Sequence, residues 1–254
     1  MAGSAIATTG LVGTAAAKPS QPEIYEQSLR LRRKNGWDIS KWANFLNQRG
    51  VQTTGFSETV MVPYPTSDGD DDVSTQKYDR YESTVSFSRS EVHSNGDLEY
   101  VAINFDVDNK AGDLDDYGEG PPDNIGIAFD DSHYDRYYGD DEWIQYGNYL
   151  NDPPDVNSKD PNHGAVADWH DGNDGDNSAW FQIWVVPKSG TTTSSRELEF
   201  DYAHTWYQGD LEGVSFGSGG GLGFTFSTET KRWDIERSHT AEQLTDGESF
   251  SPSK

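Results

Sequence analysis

The side chains best placed to do chemistry lie in the segment DWHDGNDGDN, residues 168–177. It closes the densest run of acids in the chain, residues 106–176, with 20 Asp or Glu against 3 Lys or Arg. Asp171, Asn173, Asp174 and Asp176 fall beside two glycines. Calcium takes six to eight oxygens from flexible loops, so Ca²⁺ is the cofactor this composition suits. The spacing departs from the EF-hand loop, because counting from Asp171 the sixth position holds Asp176 where that loop needs glycine. A solvated loop with loosely held counterions is the favoured reading, and ordered Ca²⁺ on those four residues is the alternative. DVDNKAGDLDDYGEG, residues 106–120, admits the same two readings.

Asp168 and His170 are the candidate catalytic pair, an acid or base for a hydrolase with Glu99 or Asp106 as second carboxylate, since glycoside cleavage uses two. With 44 acids in the chain, neighbouring carboxylates arise by chance, so the reading leans away from an enzyme. The six histidines, His93, His133, His163, His170, His204 and His239, show no HExxH or other compact zinc spacing. GVSFG, residues 213–217, has the letters of a nucleophile elbow around Ser215. Strand periodicity on both sides and no following helix argue against one. GSGGGLG, residues 217–223, lacks the Lys-Ser/Thr of a phosphate loop and reads as a turn, so no cofactor-binding residues are assigned.

The balance of 19 basic and 44 acidic residues gives a net charge of −25. Such a charge opposes compaction in dilute buffer, but in molar salt the screening length falls to about 3 Å and most of the penalty goes. The 8 Trp, 13 Tyr and 11 Phe are too many for a disordered chain. The surface field repels phosphate, which excludes nucleic acid as a partner. Cysteine is absent, so packing rather than disulfides must hold the fold.

Residues 2–17 carry no charge, are small or apolar, and end in AAA before Lys18, as a secretory core and cleavage site do. The run is shorter than the roughly 20 residues a bilayer requires, so the mature chain is expected to have no membrane span. A disordered tail is the alternative for residues 1–19. Together with the Asp excess, residues 3–17 resemble the start of exported proteins of halophilic archaea. The resemblance implies the twin-arginine route and an extracellular or cell-surface location.

Residues 20–51 read as a basic helical hairpin: one helix from Pro22 to the Asn35-Gly36 stop, a second opened by Asp38 or Ser40 and closed by Gly50. Ile39, Trp42, Phe45 and Leu46 form the apolar stripe of the second. Residues 1–51 carry net +4, and docking of Arg30, Arg32, Arg33 and Lys34 on the acidic remainder is favoured over a DNA-reading helix-turn-helix.

From about residue 56 the hydrophobic period becomes two, with strands around Val85, around Val101 to Val107, at Ile125 to Phe129 and at residues 197–206. AWFQIWVVP, residues 179–187, is apolar on both faces and is expected to be central. Residues 214–216 and 222–228 form a hairpin, with Trp233 and Ile235 continuing its second strand. The expected fold is mainly β, an antiparallel β-sandwich, jelly-roll-like or related, over residues 52–237, followed by a flexible tail, 238–254. Tyr134, Tyr137, Tyr138, Trp143, Tyr146 and Tyr149 fit an exposed carbohydrate platform or core packing equally well.

Strands and rings without a defined catalytic constellation point to an exported, non-catalytic binding module for envelope glycan or a surface protein, assisted by cations. A secreted polysaccharide hydrolase is the alternative, and a secreted antagonistic or virus-associated protein the second.

Overall fold

The computed structural model describes residues 18–65, 78–108, 122–137, 143–147, 159–169, 178–205, 211–227, 232–247 and 250. The chain opens with α1 (Gln21–Asn35) and α2 (Ile39–Asn47). Ser20 caps α1 in a reciprocal capping box with Glu23, Asp38 caps α2, and Gly36 at φ 56° closes the first helix. Ile39, Trp42 and Leu46 are buried on one face of α2, as their spacing predicts.

Two antiparallel sheets follow. The first runs β1 (Gln52–Pro65), β2 (Tyr78–Ser94), β3 (Asp97–Asp108), β9 (Ser178–Pro187) and β5 (Tyr134–Arg136), with β6 (Ile144–Gly147) also on β9. The second runs β13 (Arg232–Thr240), β10 (Glu197–Thr205), β4 (Asp123–Phe129), β8 (Gly164–Trp169) and β7 (Lys159–Asp160). A separate hairpin pairs β11 (Leu211–Phe216) with β12 (Leu222–Phe226). Trp233 and Ile235 therefore lie in β13, hydrogen-bonded to β10, and do not extend the hairpin.

Alternation fixes which side chains face inward. Val85 and Phe87 on β2, Val101, Ile103, Phe105 and Val107 on β3, and Leu198, Phe200 and Tyr202 on β10 are all buried. Phe200 meets Phe87 and Phe105 across the sheets at centroid distances of 4.9 and 5.7 Å, edge to face, the geometry aromatic quadrupoles prefer. The two-sheet core thus closes on interleaved rings. β9 lies inside the first sheet and is buried on both faces, as its unbroken apolar run requires.

The outer face of the first sheet is covered by the helical hairpin. Tyr25 donates to Gln182 Oε1 at 2.9 Å, and Trp42 donates through Nε1 to Ser28 at 2.9 Å. Arg32 is the pin. Its guanidinium lies 4.6 Å from the Trp42 ring and 4.7 Å from the Trp180 ring, donates to Asn104 Oδ1 at 3.1 Å, and pairs with Asp106. Arg33 donates to the Tyr146 carbonyl at 2.8 Å and to Gln145. Two of the four basic residues expected to dock on the acidic domain do so. Arg30 pairs instead with Glu26 of its own helix.

Residues 238–247 are not a loose tail, and the rest of the expected tail apart from Phe250 lies outside the described residues. β13 runs on to Thr240, whose hydroxyl caps α3 (Ala241–Asp246), and Ala241 and Leu244 are fully buried. Arg89 holds this helix through Thr245 Oγ1 at 2.7 Å.

Removing one partner of a buried, hydrogen-bonded ion pair strands the other charge, at about 3–5 kcal/mol. Arg32→Ala is expected to lower unfolding stability by that amount in denaturant titrations at molar NaCl. Arg32→Lys is expected to recover little of it, because an ammonium lacks the planar fork that stacks between two indoles.

Candidate functional site

One end of the second sheet gathers its most constrained polar groups. β4 and β10 run antiparallel with Ala203 opposite Asn124, so the next step along the ladder brings His204 beside Asp123. The Asp123 side chain has no exposed surface and accepts from three donors: Tyr202 Oη at 2.6 Å, His204 Nδ1 at 3.0 Å and the Thr205 backbone N–H at 2.8 Å. A carboxylate so placed fixes the tautomer and ring plane of its histidine, the arrangement that acid–base chemistry uses.

The residues between these point to the opposite, outer face of the sheet. Asn124 Nδ2 donates to Asp168 Oδ1 at 2.8 Å from a fully buried position. Asp201, two residues along β10, pairs in register with Gly126 on one side and Glu236 on the other. It is only 4% exposed. Its Oδ1 has no hydrogen-bond partner among the described residues. Burial, with Glu236 and Asp234 alongside, pushes its carboxyl up to about 8; Arg232 pulls the other way, and Glu199 adds to the rise.

Over this face lies the β11–β12 hairpin. Val214 pairs with Phe224, and Phe216 with Leu222, so strand alternation puts their side chains on one face of the hairpin. Gly126 leaves room for it: a Cβ there would stand 2.5 Å from Leu222 Cδ2 and 3.4 Å from the Phe224 ring. At the tip, Gly220 adopts φ +85° and comes so near the Asp130 backbone that a Cβ would lie 2.8 Å from its nitrogen. Arg232 spreads over the Phe226 ring at 4.4 Å while holding Asp234 at 2.9 Å.

The sequence candidates fall out unevenly. His170, Asp171, Asn173, Asp174 and Asp176, and with them the calcium loop, lie outside the described residues. Asp168 is half-buried in its pair with Asn124. Neither proposed second carboxylate can partner it. Asp106 is bound to Arg32 on the outer face of the first sheet, with both sheets between, and Glu99 accepts from Tyr137. Tyr134 and Trp143 are core residues, which removes them from any carbohydrate platform, while Tyr138 and Tyr149 lie outside the described residues. His93 sits 3.7 Å from Glu91, and His239 packs on Phe56 and Phe87. Among the described residues, no three His, Asp or Glu side chains are grouped to hold a metal ion.

Sequence reading did not single out Asp123, His204 and Asp201 as candidates, and missed a paired turn. DDSH at 130–133 and DPNH at 160–163 adopt one conformation: the first Asp accepts from the backbone N–H two residues on, at 2.7 and 2.8 Å, and its histidine follows at position four. The Phe129 N–H bonds the His163 carbonyl at 2.7 Å and sets the two turns side by side. The Asp-x-x-His spacing was visible in the sequence, but its repetition 30 residues apart acquires meaning only once β4 and β8 are neighbours.

Comparison with known protein families, with curated proteins and with solved structures finds no significant match. No helix among the described residues is long and apolar enough to cross a membrane.

Asp123 is the keystone of its cluster. Asp123→Ala leaves the Tyr202, His204 and Thr205 donors without their acceptor, at about 1–3 kcal/mol for a buried group so stranded. Thermal unfolding is expected to show a lowered midpoint, and Tyr202→Phe, which removes one donor, a smaller drop.

Proposed function

We propose that the protein is an exported, salt-adapted β-sandwich whose second sheet binds a hydroxyl-rich ligand, an envelope glycan, without transforming it. The observation that carries this reading is the outer face of that sheet, which bears Asn124, its partner Asp168 and Asp201, and against which Phe224 of the hairpin packs over Gly126, opposite Asp201 in register. Carboxylate and amide oxygens accept from sugar hydroxyls, and flat rings stack on the apolar faces of sugars. The acidic surround favours neutral or cation-bridged glycans over anionic ones. Export through the twin-arginine route is supported by the uncharged small-residue run at 3–17 and by the Asp-rich composition.

Affinity electrophoresis of the full chain through neutral and acidic polysaccharides at molar NaCl tests this reading. Retardation by at least one neutral polysaccharide is expected, weakened about tenfold by Phe224→Ala or Asp168→Asn, the loss of about one hydrogen bond or ring contact. Unretarded migration in every gel would overturn it.

The Asp123–His204 pair supports a second reading, a polysaccharide hydrolase with His204 as acid or base. In that case reducing ends are released from a polysaccharide by the wild type and not by His204→Gln.

A further inference from the structure

The β11–β12 hairpin belongs to neither sheet. It forms a two-stranded sheet of its own, and among the described residues no backbone hydrogen bond ties it to the sandwich, which it meets through side chains and the close approach of Gly220 to the Asp130 backbone. The floor beneath it includes two glycines, Gly126 on β4 under Leu222 and Phe224 and Gly164 on β8 under Phe216, which let an apolar face settle closely. Such a seat is held by hydrophobic burial without a ladder to anchor it, and this places the hairpin at the low end of local stability.

Set into the same floor is Asp201, and its surroundings suit an uncharged carboxyl. On its own strand stands Glu199. On β13 stand Glu236 directly opposite, Asp234 and Arg232. From β4 it faces Gly126, with Asn124 and its partner Asp168 one step further along, and β12 carries no titratable side chain. On β11 the single acid, Glu212, is exposed. Arg232 is the one cation of this set, and it is committed to Asp234 and to the Phe226 ring. Asp123, on the other face of the same sheet, has three donors to hold its carboxylate, whereas Asp201 Oδ1 has no partner among the described residues.

We propose that the β11–β12 hairpin is a flap over the outer face of the second sheet, shut while Asp201 is uncharged and loosened as that carboxyl gains its charge. The inference does not depend on what the face binds. A buried ion without donors is strongly disfavoured, and a hairpin that lifts returns the group to water, so opening releases a proton. The raised carboxyl of the closed form, near 8, fits this coupling. An Asp whose value is raised on closure stabilises the closed form fully below the ordinary carboxylate range. That contribution drains away as pH climbs towards the closed-form value, and above it nothing further changes. Molar salt screens the exposed Glu236 and Asp234 but reaches a buried carboxyl much less, so the response persists in brine.

Hydrogen–deuterium exchange of the full chain in molar NaCl, from about pH 5 to about pH 9 and corrected for intrinsic rates, reads the flap directly. Protection of residues 211–226 is expected to fall by up to about tenfold per pH unit and to level off near the top of the range, while β3 and β9 stay protected. In Asp201→Asn, which keeps the shape and cannot ionise, the hairpin is expected to show no such slope. Glu236→Gln, which removes the nearest like charge, is expected to move the levelling point to lower pH. Equal slopes in wild type and Asp201→Asn, or a levelling point that Glu236→Gln leaves in place, would overturn the proposal.

Discussion

The constraint on which this structure rests is the expense of burying negative charge in a chain that carries 44 acids against 19 bases. An isolated carboxylate cannot enter a low-dielectric interior without a partner or a proton. Among the described residues Asp123 and Asp201 are buried and Asp106 is mostly so, and each meets the difficulty differently. Asp106 has a guanidinium, delivered by α1. Asp123 has three donors, delivered by the Tyr202 and His204 side chains and the Thr205 backbone of β10. Asp201 has an Oδ1 without a hydrogen-bond partner among the described residues, and burial beside Glu236 and Asp234 holds it towards its neutral form.

Each solution shapes the architecture around it. Supplying Arg32 to Asp106 explains why the basic part of an acidic chain is the helical hairpin and why it lies flat on the first sheet. The cation is delivered between Trp42 and Trp180, whose ring faces complement it. Saturating Asp123 ties the ends of β4 and β10 together at the edge of the core. Burying Asp201 with its Oδ1 unpartnered among the described residues puts the least compensated carboxyl of the three on the outer face of the second sheet, where the proposed flap lies. That is also where ring and oxygen chemistry meet, so the binding reading and the flap share a location while resting on different atoms.

Much of the fold was legible in the residues. The period of two in β2, β3, β4 and β10, the two-sided apolar run of β9, the Asp38 and Gly36 helix signals and the glycine-rich hairpin turn each carry a local physical cause, and local causes survive into the structure. The misses have a common origin. Trp233 and Ile235 have strand character, but whether they extend the hairpin or join β10 depends on a pairing between distant segments. The α3 helix follows a capping box, Thr240 with Gln243, hidden in a polar stretch, and its stability comes from burying Ala241 and Leu244 against strands far away in sequence. The site fared worst because acids were too common to single out. Asp123, His204 and Asp201 acquire their character from ladder register and burial, neither of which appears in a sequence window. For Tyr134 and Trp143 the sequence left an exposed platform and core packing equally open, and their burial decides for the core.

If repulsion among acids is the force the fold works against, electrolyte should decide how far it succeeds. Chemical unfolding followed by circular dichroism and tryptophan fluorescence, at NaCl concentrations from millimolar to molar, measures this directly. Stability is expected to climb steeply through the range in which the screening length shrinks from about 30 Å to about 3 Å. Unfolding curves that superimpose at every salt concentration would contradict the account.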